Sequence, residues 1–557
     1  MRFGVLLLAV SCSSAEPAQT PDRDAGSDAP TPPAGLPHLI DWANVSGVEG
    51  GIPARDTVCK NLDAIDATGA TDVLPAIQAA IDSCPPDQVV KLPAGTFRLD
   101  GSLSMRSRVT LRGAGPTSVL KPAQTIFFNG GLGRKNANIV SGSDSGSTRV
   151  VTAAPPADLT VGSSMLIDEL NDPSFVHPYG YEENATAPLL CSYCDEPYGG
   201  TRVRGQMVRV TAIAGSTIDF TPALYSSYAS SRDPRIDYLA APSADQPNVL
   251  TYAGIEDLTI DPTGPSTVIR FEGAQNSWLA GVSLEIRAND APAIIGYFAH
   301  RIEIRHGSFT GHTPVAQAIL SQVHTEGWRV EDNAFVAVNL SFLQVGRQGG
   351  HVFAYNYLHS NSGDTTALIN DNGNHGAHPQ FILFEGNKLA KHHADSIHGS
   401  SSHYTLFRNH LRGRRDETTF GAGCVWIDSW NYHYNVVGNV LGYPGMPEFR
   451  FEAESPEPID DTMILWRFGY SGYNPYGAYP LSKSTTLRHG NFDFGRNQTD
   501  WDPTIESHVL PASLYLAKKP AFFGKLPFPP IGPDVDGYFA NELPAEYRMK
   551  HGGADPP

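Results

Sequence analysis

The chain has 557 residues, of which 41% are hydrophobic and only 18% charged, with 54 glycines and 44 prolines. This turn-rich composition excludes a coiled coil or wholesale disorder, and the length exceeds what one compact core supports, so the chain is either multidomain or elongated. A formal charge of -18 argues against broad nucleic-acid binding, and no run of about 18 apolar residues exists to span a membrane.

Residues 1–12 read as a lipoprotein-type signal: Met1-Arg2, the apolar stretch Gly4 to Val10, then Ser11-Cys12, with Cys12 as the lipidation site. An ordinary signal peptide is the alternative, and both place the protein outside the cytoplasm, at the bacterial surface or in the periplasm. Residues 13–37, rich in Asp, Pro and Ala, form a disordered linker. Exported chains use cysteine for staples, so Cys59 is expected to pair with Cys84 and Cys191 with Cys194, a local C-x-x-C in a Gly/Pro-rich loop.

From Thr71, TDVLPAIQAAIDSC places Leu74, Ile77, Ala80 and Ile81 on one helical face. Short strand-like runs follow, VVKLPAGTFRL and VTLRGAG, each bounded by Gly or Pro. These residues, roughly 69 to 121, resemble the N-terminal cap and first coil of the pectate-lyase superfamily. That resemblance implies a right-handed parallel β-helix plugged by a helix, with a groove on one sheet that binds a polysaccharide. Segment 38–122 is therefore the cap and first rungs. Segment 123–247, with RVVTAA, SMLIDEL, MVRVTAI and TIDFTPAL but no repeat, reads as an inserted β-rich module.

Internal repetition dominates 248–495, the β-helix core. WRVEDNAF, HVFAYNYL, ILFEGNKL, YTLFRNHL and YNVVGNVL place Asn333, Asn356, Asn387, Asn409 and Asn439 at spacings of 23, 31, 22 and 30, and TLRHGNFDF places Asn491 two repeats later. Units this short must stack to bury their faces, and a recurrent Asn fits a ladder whose amides satisfy backbone groups of the next rung. These asparagines are read as structural. Residues 496–557, rich in Pro and aromatics, form a C-terminal cap lying along the helix, its aromatics covering an open end.

Two rungs are enlarged, by SNSGDTTALINDNGNHGAHPQ and by RGRRDETTFGAGCVWIDSWNYH, and insertions in solenoids gather on one face. Aligning ILSQ (319–322), FLQV (342–345), LIND (368–371), SIHG (396–399) and WIDS (426–429) sends Leu320, Leu343, Ile369, Ile397 and Ile427 inward. Ser321, Gln344, Asn370, His398 and Asp428 then form an outward row. Between Lys388 and Arg415 basic residues and histidines crowd around a single carboxylate, Asp395, a local reversal of sign. Its bland alternative is a solvated basic edge.

Elimination across a uronate needs a base and a group that neutralises the sugar carboxylate, whereas hydrolysis needs paired carboxyls. The reading is a secreted polysaccharide lyase acting on an acidic polysaccharide, as a monomer. Its catalytic residues are His398, Asp395, Asp428 and Arg412, and its substrate contacts Asn370, Arg408, Arg414, His392, His393 and Trp430. Calcium is a candidate cofactor, held by Asp371, Asp395 or Asp428 with Asn370; a transition metal on His392, His393, Asp395 and His398 is a further reading. A hydrolase using Asp371, Asp395 and Asp428, or a non-enzymatic adhesin, is the alternative.

Overall fold

The computed structural model describes residues 35–131, 133–177, 200–240, 249–359, 372–413, 422–446, 448–459, 462–470, 478–538 and 540–557. The assignments to Cys12, Cys191, Cys194, Asn370, Asp371 and Arg414 lie outside the described residues.

The chain folds as a parallel β-helix. A 23-stranded sheet holds two adjoining faces and an 11-stranded sheet holds the third, while short strands from Leu250–Thr251 to Gln348–Gly349 line a turn. Inward positions stack like on like. In the first face Leu279, Ile304, Val330, Phe353, Phe384, Leu406 and Val436 follow one another in register, with the Phe353 and Phe384 rings 4.9 Å apart. Each residue covers the one beneath, so a rung is apolar inside only because its neighbours are present. Stacking begins earlier than the helical plug, at Val58–Asn61, which pairs with Gln88–Lys91.

The plug is the helix Leu74–Ser83, whose Ile77, Ala80 and Ile81 are buried. Its end is tied back to the first strand by the Cys59–Cys84 disulfide, with Cα atoms 5.6 Å apart. Cys424 is a free, buried thiol.

The asparagine ladder is continuous. Each Oδ1 accepts the backbone N–H and the side-chain amide of the preceding ladder residue, from Asn333 through Asn356, Asn387, Asn409 and Asn439 to Asn491. Asn491 belongs to the very next rung, not two repeats later. The 52-residue step supplies two strands to the third sheet, Phe449–Glu454 and Met463–Phe468, before the chain returns. Asn409→Ala strips Oδ1 from the Asn387 N–H and leaves the Phe384 carbonyl, now bonded at 2.8 Å, without its donor. We expect a loss of about 1 to 3 kcal/mol in denaturant unfolding.

Six antiparallel strands between Arg134 and Leu239 close a separate barrel with its own core of Val150, Ile167, Val208, Ile218 and Ile236. It docks on the β-helix: Arg347 pairs with Asp168, and Gln380 Nε2 donates to the Gly205 carbonyl at 3.0 Å.

After Gln498–Asp500 pairs antiparallel with the last rung at Asn491–Asp493, the C-terminal segment lies along the flank of the first two faces. Lys388 pairs with Glu546 at 2.6 Å, and Glu385 accepts from Tyr355 Oη at 2.6 Å and from the Leu514 N–H at 2.8 Å. Burial pushes the Glu385 carboxyl up to about 7, against the hydrogen bonds from Ser513, Tyr355 and Leu514. A folded carboxyl raised this way holds its proton while the unfolded one has lost it, so stability falls as pH rises from about 4.5 to about 7. Glu385→Gln should flatten that decline, up to roughly 3 kcal/mol, in melting curves taken across the interval.

Candidate active site

The site is built on the outer side of the third sheet. Gln344, Asn374, Ala394, Ile427 and Phe468 are in register and buried, so alternation turns the residues on either side of them outward. Before them come His393, Trp426 and Arg467, also in register. After them come His375, Asp395 and Asp428, just past the strand ends.

Two histidine–carboxylate pairs result, each bridging adjacent rungs about 4.8 Å apart. In one, His375 Nδ1 lies 2.7 Å from Asp395 Oδ2. Asp395 Oδ1 also accepts the Ile397 N–H at 2.8 Å, a turn that brings the chain back and sets the His398 ring edge-on to His375 at 4.7 Å. In the other, His393 Nε2 lies 2.9 Å from Asp428 Oδ2, and Arg467 grips both oxygens of Asp428, at 2.9 and 2.6 Å. Trp426 is contacted by the Lys391 ammonium at 3.6 Å and the Arg467 guanidinium at 3.7 Å.

The two pairs are electrostatically different. Burial opposes charge on His375, but the Asp395 carboxylate overrides it and raises the imidazole above its ordinary value. Burial lowers His398 to about 4, and the neighbouring His375 adds to this. Asp428 is held below the usual carboxylate range because Arg467 and His393 outweigh its burial. His393 is lowered by burial, with Arg467 and Lys391 opposing the pull of Asp428. Two adjacent, partly exposed imidazoles thus differ in kind: His398 is a neutral acceptor and His375 favours its proton.

One wall comes from the inserted barrel. Phe175 and Val176 pack on Val345, Ala377 and the outward-facing Leu320 and Leu343. His177 stacks on Trp430 at 5.0 Å, and Trp430 meets Tyr479 edge-on.

Several sequence-based positions are corrected. Leu320 and Leu343 face out, while Ser321 and Gln344 are fully buried, because the third-sheet alignment was out by one residue there. The strand in the next rung is Asn372–Asn374, and the following one is His392–Ala394, paired His392 to Val425. His398 therefore sits in a turn, three residues beyond where its alignment with Asp428 put it. His392 is a fully buried core residue among Phe384, Tyr404 and Tyr434, lowered to about 3 by burial. It lies on the opposite face of its strand from His393, so the two cannot share a metal. Arg408 faces the C-terminal segment and is bonded to Asp534. Arg412 donates to the Leu358 carbonyl at 3.4 Å, ahead of strand Gly423–Ile427 rather than beyond its end. The local reversal of charge is thus shared between two sides of the helix.

Asp395, Asp428, His393, His398 and Trp430 do come together. Sequence reasoning missed His375, Arg467, Trp426 and His177. The run ILWRF carried a signal for Arg467, a lone charge inside an apolar, strand-like stretch. Among the described residues no three His, Cys, Asp or Glu side chains are grouped to hold a metal, and both Asp428 oxygens already face Arg467, which does not fit a calcium ion bridging Asp395 and Asp428.

Residues 64–160 match the family model described as rhamnogalacturonase A/epimerase, pectate lyase-like. That stretch, 97 of the 557 residues, is pectate-lyase-like. A polygalacturonase of Ralstonia nicotianae (strain ATCC BAA-1114 / GMI1000) is 30% identical over 156 residues, 25% of this chain and 28% of that relative's length. Among solved structures, the tailspike protein gp49 from Pseudomonas phage LKA1 is 16% identical, covering 72% of this chain and 68% of that one at a TM-score of 0.47. The Azotobacter vinelandii mannuronan C-5 epimerase AlgE6 A-module is 14% identical, covering 77% and 98% at 0.36. At these values neither structure bears on the chemistry of the site, which is read from its own residues.

Proposed function

We propose that the protein acts on an acidic polysaccharide and cleaves it by β-elimination. The observation that carries this reading is the His375–His398 contact, with the two rings biased to opposite protonation states. A neutral His398 can take the proton beside a uronate carboxylate. His375, whose protonated form Asp395 favours, can offset the negative charge that develops as that proton leaves. The β-helix and the polygalacturonase named above support a polysaccharide as the substrate class.

Hydrolysis would need one carboxyl that keeps its proton near neutral pH. Asp428 is poorly suited, because Arg467 and His393 hold it ionised. Incubation with a panel of uronate-containing polysaccharides tests the choice. Ultraviolet absorbance of an unsaturated uronate is the expected result; new reducing ends without it favour the hydrolase, and retention without cleavage favours an adhesin. Calcium supplied through Asn370 and Asp371 belongs to the same proposal, and loss of turnover on chelation, restored by calcium, is its test.

The reading includes export and lipid anchoring at Cys12, supported by the Cys59–Cys84 disulfide. Cys12→Ala should move the protein from the membrane fraction to the soluble one.

A further inference from the structure

We propose that the inserted barrel is a working part of the site: its segment 172–177 clamps the loop 395–400, which makes Gly399 and Ser400 positioning residues for His398. The inference rests on the reading of His398 as the base.

The clamp is a reciprocal backbone contact. The His177 N–H donates to Ser400 Oγ at 2.9 Å, and the Ser400 N–H donates to the His177 carbonyl at 2.9 Å. Gly399 lies between these bonds and His398, at φ +116°, and a Cβ there would stand 2.2 Å from the His177 carbonyl oxygen and 2.6 Å from Ala377 Cβ. Only glycine permits the approach, on both counts. From the other side the Ala377 N–H donates to the His398 carbonyl at 3.1 Å, and the His378 N–H donates to the carbonyl of barrel residue Val203 at 3.0 Å. Val176 and Val203 then pack with Val345 and Ala377 into one apolar contact. The turn bearing His398 is thus gripped by chain that leaves one barrel strand, Ser164–Asp168, and re-enters at the next, Gly205–Ala214.

The geometry explains why a barrel is inserted where it is. A loop of six residues gains from outside support in holding an imidazole against His375, and a positioned base loses much of its effect when displaced by about 1 Å. His177 also stacks on Trp430, so the same segment fixes an aromatic surface on the adjoining rung.

The test is Gly399→Ala in the full chain, with Ser400→Ala as the milder second variant. Histidine-labelled NMR should find His398 titrating near about 4 in the wild type and moving toward its ordinary 6.5 in the variants, as the turn lifts away from His177 and His375. On a cleaved substrate, Gly399→Ala should lose about a hundredfold in kcat with KM changing little, and the acid limb of its pH profile should shift upward with the titration. Folded Gly399→Ala whose His398 titrates as in the wild type overturns the proposal. If Gly399→Ala does not fold, an unmoved His398 midpoint in Ser400→Ala overturns it equally. The titration needs no substrate, so it separates this inference from the proposed reaction: a shifted midpoint alongside an active His398→Ala upholds the clamp and removes His398 as the base.

Discussion

His398→Ala should lower turnover by at least about a hundredfold on a cleaved acidic polysaccharide, the ordinary loss for a positioned acid or base, with no change in melting temperature. The ring is partly exposed, lies in a turn and fills no core position, so truncation removes chemistry without opening a cavity. Substrate binding should survive, because an imidazole lowered to about 4 carries no charge at neutral pH to attract a polyanion. The pH profile of kcat/KM carries the same assignment. It should rise through about 4 as His398 becomes neutral, and decline at higher pH as His375, raised by Asp395, gives up its proton. Asp395→Asn should draw the descending limb toward lower pH, since the carboxylate that holds the His375 proton is gone. Wild-type rates in His398→Ala would place the base elsewhere on the sheet.

The asparagine ladder and the helical plug could be read from residues alone because each carries a marker whose physics is local. A buried amide must meet backbone groups one rung away, and an amphipathic decapeptide has one period. The third sheet offers no such marker. Its strands at Asn372–Asn374 and His392–Ala394 are polar or short, and its rungs are separated by turns of unequal length, so nothing anchors the count. With a side-chain period of two, the one-residue error at Ile319 and Phe342 exchanged the two faces. Asp428 escaped because it follows the apolar run Gly423–Ile427, long enough to declare its own inward positions. The charge cluster misled for a related reason. Lys388, Arg408 and His410 lie on the first two faces and Lys391 and His393 near the third, so neighbours in sequence are divided by a corner of the coil. Arg467 enters from beyond the fifth ladder asparagine, where the repeat had already been interrupted.

Arg408→Ala should destabilise the protein by about 3 kcal/mol and leave substrate affinity unchanged. Its guanidinium is 1% exposed and every arm is used. Nε donates to the Pro511 carbonyl at 2.7 Å, and Nη1 to the Ile531 carbonyl at 3.1 Å and to Asp534 Oδ1 at 2.7 Å. Nη2 serves the Leu510 carbonyl at 3.2 Å and Asp534 Oδ2 at 2.8 Å. One side chain thus pins two stretches of the C-terminal segment, 510–511 and 531–534, to the flank of the helix. The cost of removing it comes chiefly from the stranded carbonyls, because Asp534 is 42% exposed and can be rehydrated. Arg408→Lys should recover only a small part, since an ammonium cannot reproduce the planar fork that reaches acceptors on both sides. Asp534→Ala should cost less than Arg408→Ala for the same reason. Chemical unfolding of the three variants gives the order directly, and a fall in affinity for acidic polysaccharide in folded Arg408→Ala would return this residue to the groove.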